Sequence, residues 1–79
     1  MKLNKDNKFE VDVGDIIDFG NDAYEVMTVI HGGRNSLSFT LREMQTMRTI
    51  YAYPSSYCYG ADVIKAGAIN ELMKGGCKA

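Results

Sequence analysis

Hydrophobic and polar residues alternate with a period of two along much of the chain, which is the pattern of half-buried β-strands. The clearest case is the segment 36–42, where Leu37, Phe39 and Leu41 share one face and polar residues occupy the other. Similar patterns, separated by turns rich in glycine, asparagine and aspartate, predict further strands over 9–13, 16–19, 24–30 and 47–53. The sequence therefore predicts a mainly β fold.

The pattern changes after Pro54, which cannot donate to a central ladder and so ends the strand predicted over 47–53. Residues 61–66 are predicted to form a short helix with Gly67 as its stop. Residues 68–73 suit either a closing strand or a continuation of that helix to Lys74. We favour the strand, because a glycine inside a helix costs about 1 kcal/mol relative to alanine.

The expected architecture is a small antiparallel barrel or curved sheet of four to six strands, with one short helix near the C-terminus. The alternative is an antiparallel sheet plus a single C-terminal helix, which is an α+β fold. With 79 residues the chain has the length of one domain. Residues 1–8 are expected to be a mobile lead-in, residues 9–74 the single domain and residues 75–79 a flexible tail.

Size and charge limit the partners. A domain this small buries a smaller share of its surface than a large one, and Cys58 and Cys77 are expected to be free thiols, so we expect a homo-oligomer. The formal net charge of -1 disfavours a long nucleic acid, which is bound through excess positive charge.

The charged N-terminus lacks a signal peptide's apolar region and no apolar run could span a membrane, so we expect a cytoplasmic protein without membrane contact.

Four or five short antiparallel strands with tight turns, then a one-turn helix and a last strand, resemble the SH3-like small β-barrels of the KOW and Tudor type. The resemblance is carried by Val13-Gly14-Asp15-Ile16-Ile17, where a Gly-Asp pair opens a strand, and by Asp62-Val63-Ile64-Lys65-Ala66-Gly67 near the end. It implies a fold and assigns no site residue, since one fold hosts many functions.

Catalytic and metal-binding motifs are incomplete. Asp18-Phe19-Gly20 spells the magnesium-binding triplet of protein kinases, and His31-Gly32-Gly33 resembles the oxyanion loop of esterases, but each lacks the motifs that accompany it in an enzyme. One histidine and two distant cysteines match no zinc spacing, and the acidic segment matches no calcium loop. We therefore expect no catalytic residue, metal ligand or cofactor, and a chain that acts by binding.

The most unusual feature is a group of four tyrosines within nine residues, on both sides of Pro54: Tyr51, Tyr53, Tyr57 and Tyr59. If Tyr51 and Tyr53 share the strand face opposite Ile50 and Ala52, they point away from the core. Tyrosine is enriched at binding hot spots, so these rings are candidates for a contact surface. The alternative is that they cap the end of a small barrel.

Cationic residues complete the candidate set. The loop 31–36 combines two glycines with His31 and Arg34, and could hold a phosphate or carboxylate, although it also suits an ordinary hairpin turn. The four tyrosines with His31, Arg34 and Arg48 are the predicted binding residues.

Two functions follow from this set. The leading hypothesis is a protein-interaction module, such as a small inhibitor or accessory protein of the kind that phages encode. The alternative is a binder of a small nucleotide or single-stranded nucleic acid, with tyrosines stacked on bases and Arg34, Arg42 and Arg48 on phosphates.

Overall fold

The computed structural model describes residues 1–67. Its regular elements are the strands β1 (Ile16–Asp18), β2 (Ala23–His31), β3 (Leu37–Glu43), β4 (Thr49–Pro54) and β5 (Asp62–Ile64), with 3-10 turns at Lys8–Glu10 and Ser55–Cys58. The strands are antiparallel and form one open sheet in the order β4-β3-β2-β1-β5. The prediction of a mainly β fold is confirmed, and residues 1–67 form no closed barrel.

The core lies on one face of this sheet, and strand alternation decides which residues enter it. Leu37, Phe39 and Leu41 of β3 are each at most 3% exposed. Leu41 pairs with Val26 on β2 and with Ile50 on β4, so three strands contribute to one apolar row. Burial of each large apolar side chain in this way stabilises the folded state by about 1.5–3 kcal/mol relative to leaving it exposed. The other buried apolar residues are Leu3, Val11, Ile17, Cys58, Ala61 and Val63.

The N-terminal residues pack along the outer edge of β5. Lys2 forms an isolated antiparallel bridge with Asp62, and the Leu3 N–H donates to the Ala61 carbonyl at 2.9 Å. Leu3 itself is 1% exposed. The segment 1–8, expected to be a lead-in outside the domain, therefore supplies a core residue and a strand-like partner for β5.

Two local predictions are wrong. Residues 9–13 do not form a strand, because Lys8–Glu10 is a 3-10 turn in which the Glu10 N–H donates to the Asn7 carbonyl at 2.9 Å. Residues 61–66 do not form a helix, because Asp62–Ile64 is strand β5. Its backbone has partners on both sides, β1 and the N-terminal segment, and both are distant in sequence.

Some predictions lie outside the described residues. These are the choice between strand and helix over 68–73, the flexible tail over 75–79 and the state of Cys77. Within residues 1–67, no helix is both long enough and apolar enough to cross a membrane.

A buried carboxylate joins the two segments on which the SH3-like resemblance rests. Asp15, 1% exposed, accepts hydrogen bonds from the Asp12 N–H at 2.8 Å, the Ala66 N–H at 2.9 Å and Lys65 Nζ at 2.6 Å. Burial alone would raise the pKa of Asp15, but these hydrogen bonds outweigh it and hold the pKa below its usual value. These hydrogen bonds hold the residues just before β1 against Lys65 and Ala66, which follow β5.

Candidate functional site

A pocket of about 220 Å³ opens between the β1–β2 turn and β4. Its lining consists of Phe19, Asp22, Tyr24, Leu41, Ile50 and Tyr53. This volume lies below the roughly 300–1,000 Å³ of typical small-molecule sites. A pocket of this volume has room for a single side chain.

Strand pairing places the first two rings of the pocket. Tyr24 lies two residues before Val26 on β2, so both point towards the core face. Phe19 directly follows β1, and its ring meets that of Tyr24 edge-on at a centroid distance of 5.6 Å. The Phe19 N–H donates to the Asp22 carbonyl at 2.9 Å, which closes the turn and brings Asp22 to the pocket.

A β-bulge in β4 places the third ring. Ile50 pairs with Leu41, and Tyr53 pairs with the residue two positions earlier in β3, so β4 carries one extra residue in this interval. The two intervening residues are Tyr51 and Ala52, and Ala52 has a positive φ of 54°. Because of the extra residue, Ile50 and Tyr53 share the core face while Tyr51 stands 77% exposed. The interpretation that Tyr51 and Tyr53 share one outward face is wrong.

The pocket continues into an exposed aromatic surface. Tyr57, in the 3-10 turn after β4, contacts Tyr53 edge-on with ring centroids 5.5 Å apart. Tyr57 is 67% exposed, whereas Tyr53 packs partly against the core. Tyr59 instead lines a second, larger hollow of about 380 Å³ together with Lys2 and Asp62. The structure thus brings together two of the four tyrosines that the sequence singled out.

The cationic candidates are divided between two ends of the sheet. Arg48 lies in the β3–β4 turn near Tyr24. Burial raises the pKa of Tyr24, the charges of Asp22 and Glu43 raise it further, and Arg48 opposes them. Arg34 lies in the β2–β3 turn, so the length of β3, about 20 Å, separates it from Arg48. The predicted residues therefore do not form one site.

Only Tyr53 of the six pocket residues is among the predicted binding residues. The sequence analysis missed the other five: Phe19, Asp22, Tyr24, Leu41 and Ile50. The sequence pattern places Phe19 in the predicted strand 16–19, Tyr24 in the predicted strand 24–30 and Asp22 in the turn between them, and it assigns none of them to a site. A usable signal was present, since two aromatic residues flank a short hairpin turn that carries an acid. Such residues lie close together when the flanking strands pair.

The side chains that line the pocket determine what it can contact. Its described lining offers three aromatic rings, two aliphatic side chains and one carboxylate. Cys58 is fully buried, and burial raises its pKa to about 11, which keeps the thiol protonated at neutral pH. Across residues 1–67, no group of three His, Cys, Asp or Glu side chains is placed to hold a metal ion.

Comparison with protein-family models, curated proteins and solved structures finds no match to this chain. The pocket and its exposed aromatic margin are therefore the observations from which we infer a function.

Proposed function

We propose that the chain is a non-enzymatic protein-interaction module, an accessory or inhibitor protein that binds a partner polypeptide through the pocket and Tyr57. The observation that carries this proposal is the position of Tyr53, whose ring lines the pocket and also contacts the exposed ring of Tyr57. The two features thus make one continuous aromatic surface. Tyrosine offers a large contact area at a low cost in conformational entropy, which suits a binding hot spot.

The lining indicates which partner side chain enters the pocket. Leu41 and Ile50 offer apolar surface to an aliphatic stem, and the rings of Phe19 and Tyr24 can face a cation. The carboxylate of Asp22 adds a negative charge at the same place. A lysine or arginine of the partner meets all these requirements, because each carries a cation on an apolar stem.

The alternative of nucleotide binding at the tyrosines has less support. It needs arginines beside the rings, but Arg34 lies in the β2–β3 turn and Arg42 is paired with Glu25 at 2.7 Å. Only Arg48, of the three arginines proposed for phosphate contact, lies near the pocket.

The SH3-like resemblance also remains a proposal. It is supported by the succession of four antiparallel strands, a one-turn 3-10 helix at Ser55–Cys58 and a fifth strand, β5, that pairs with β1.

The test is selection of a random peptide library on the immobilised protein, followed by affinity measurements on the enriched peptides. We expect these peptides to share a lysine or arginine anchor. Tyr57→Ala should weaken their binding about 30-fold, since truncating a hot spot commonly costs about 2 kcal/mol. Asp22→Asn should weaken it about tenfold. Tyr53 is not truncated, because it packs against the core and its loss would also affect folding.

The matched control is Tyr51→Ala, which removes an exposed tyrosine of β4 that does not line the pocket. We expect it to bind the selected peptides as the parent does. Thermal unfolding of each variant should stay close to that of the parent. If binding is unaffected by Tyr57→Ala and Asp22→Asn, or is lost equally in Tyr51→Ala, the proposal is wrong.

A further inference from the structure

A second aromatic cluster lies beside the β2–β3 turn. It consists of Lys8, Phe9, His31 and Arg34, and we call it the Phe9 cluster. The Phe9 and His31 rings are parallel within 5°, with centroids 6.1 Å apart, and Lys8 Nζ lies 5.2 Å from the Phe9 centroid. Lys8 Nζ also donates to the Asn35 carbonyl, which brings the ammonium group to the turn that carries Arg34.

Folding does not account for the position of Phe9. Its 3-10 turn has no buried residue, and its side chain is 47% exposed. A single exposed apolar side chain is unremarkable. Phe9 differs because its ring is aligned with an exposed imidazole and lies under a cation. The arrangement presents flat aromatic surface and positive charge together.

The charges of the cluster are not neutralised within the described residues. The ion pairs in residues 1–67 are Lys2–Asp62, Arg42–Glu25, Lys65–Asp12 and Lys65–Asp15. Neither Lys8 nor Arg34 takes part in them. Asp12, an acid close to Phe9 in sequence, is directed at Lys65 with a separation of 3.4 Å. Both cations are therefore available to an anionic ligand.

The backbone of Arg34 supports a role for its side chain. The Ser36 N–H donates to the Gly33 carbonyl at 3.1 Å, and the two central residues, Arg34 and Asn35, have φ values of 56° and 63°. This is the geometry of a type I′ turn, which favours asparagine or glycine at both central positions. Arginine does not stabilise the first central position of such a turn, so the presence of Arg34 there points to contact of its side chain with a group outside the turn.

We propose that the Phe9 cluster binds a nucleotide, with the base packed against the Phe9–His31 pair and the phosphate oxygens accepting hydrogen bonds from Lys8 and Arg34. A base supplies the flat surface that aromatic rings stack on, and its phosphate supplies the charge. Free nucleotides and single strands share this chemistry. The inference is independent of the proposed function, because the aromatic pocket has a different set of lining residues.

The test is titration of the protein with ADP, adenosine, inorganic phosphate and an octamer of deoxyadenylate, followed by NMR chemical shifts and calorimetry. We expect ADP to bind at least tenfold more tightly than adenosine or phosphate, with shift changes at Phe9, His31 and Arg34. Binding should weaken when salt is raised from 50 to 200 mM, as phosphate contacts require. An octamer that binds more tightly than ADP identifies a strand as the source, and the reverse order identifies a free nucleotide; both support the site.

Variants separate this site from the pocket. Phe9→Leu keeps apolar bulk without the ring, and Arg34→Asn removes the charge while suiting the turn, so each should weaken ADP binding at least fivefold in a folded protein. Two single variants serve as controls: Arg48→Gln, which removes an arginine elsewhere in the sheet, and Tyr57→Ala, which changes the aromatic pocket margin. The ADP affinity of each should lie within twofold of that of the parent. Phosphate binding as tight as that of ADP, unchanged ADP binding in Arg34→Asn, or equal losses in Arg48→Gln would each overturn the inference.

Discussion

Asp15 shows how a single side chain can hold distant parts of this small fold together. Its carboxylate accepts two backbone N–H groups and the Lys65 ammonium, and these partners lie on both sides of β1 in sequence. Gly14, just before it, has a φ of +96°, and a Cβ there would lie 3.4 Å from that of Ala66. The Gly-Asp pair is therefore required by backbone conformation at Gly14 and by hydrogen bonding at Asp15.

We predict that Asp15→Asn lowers the free energy of unfolding by about 2–3 kcal/mol at pH 7. The amide cannot accept all three hydrogen bonds, and bonds to a charged group are worth about 1.5–3 kcal/mol each. The lowered pKa of Asp15 also predicts a pH dependence. Its contribution is fully present above the unfolded pKa of about 3.9 and is lost as pH falls through the lower folded pKa.

Urea unfolding between pH 7 and pH 2.5 measures both effects. The parent should lose stability more steeply than Asp15→Asn in the acidic part of this range. Asp62→Asn is the matched control, because it removes a carboxylate whose pair with Lys2 is exposed and worth at most about 1 kcal/mol. Parallel pH profiles for parent and Asp15→Asn would contradict the prediction.

Among the strands, β4 has the largest influence on the candidate site. Its bulge directs Tyr53 towards the pocket and leaves Tyr51 outside, and the bulge contains Ala52 with a φ of 54°. A left-handed backbone costs a residue with a Cβ about 1–2 kcal/mol, whereas glycine adopts it freely. The pairing of β4 with β3 on both sides of the bulge thus holds Ala52 in a conformation that alanine disfavours.

We predict that Ala52→Gly stabilises the protein by about 0.5–1 kcal/mol, because removal of this strain exceeds the added entropy of the unfolded chain. Denaturant unfolding measures the difference. Ala23→Gly serves as the control, since Ala23 lies in β2 and has no positive φ. We expect this variant to be less stable than the parent by about 0.5–1 kcal/mol, because glycine inside a strand adds entropy to the unfolded chain. A loss of stability in Ala52→Gly would mean that the bulge imposes no strain.

The limits of sequence reasoning are visible in the same elements. The apolar alternation of Leu37, Phe39 and Leu41 was enough to place β3 and its core face, because the period of a strand is a local property. The bulge at Ala52 was not predictable, since it depends on pairing with β3 and alanine carries no turn signal. The short strand β5 was missed because its partners are distant in sequence.

The candidate site was predicted in part for the same reason. Tyr53 and Tyr57 were found by their closeness in sequence, and the structure places them in contact. Phe19 and Tyr24 join them only through the sheet, which runs from β1 through β2 and β3 to β4. Contacts of that kind need the register of three strand pairs, and a single sequence does not contain it.

The balance of buried and exposed apolar surface bears on self-association. In residues 1–67, ten hydrophobic residues are buried, while twelve large hydrophobic residues are exposed. The outer edge of β5 is covered by the N-terminal residues, whereas β4 forms the other edge of the sheet. Tyr51, 77% exposed, lies on that edge. Within residues 1–67 no segment covers the β4 edge, and an edge strand with an exposed aromatic side chain favours pairing with another chain, although the bulge and Pro54 weaken this tendency.

We therefore predict weak homo-oligomerisation, with an average mass that rises from the 8.8 kDa of the monomer towards twice that value at tens of micromolar protein. Sedimentation equilibrium in the presence of reductant measures it. Tyr51→Lys should lower the association constant, because lysine on an edge strand opposes pairing. Val13→Lys places the same charge at another exposed apolar position, outside the sheet, and should leave association unchanged. A constant monomer mass up to about 200 µM would contradict the prediction, and equal effects of the two lysines would show that association does not use the β4 edge.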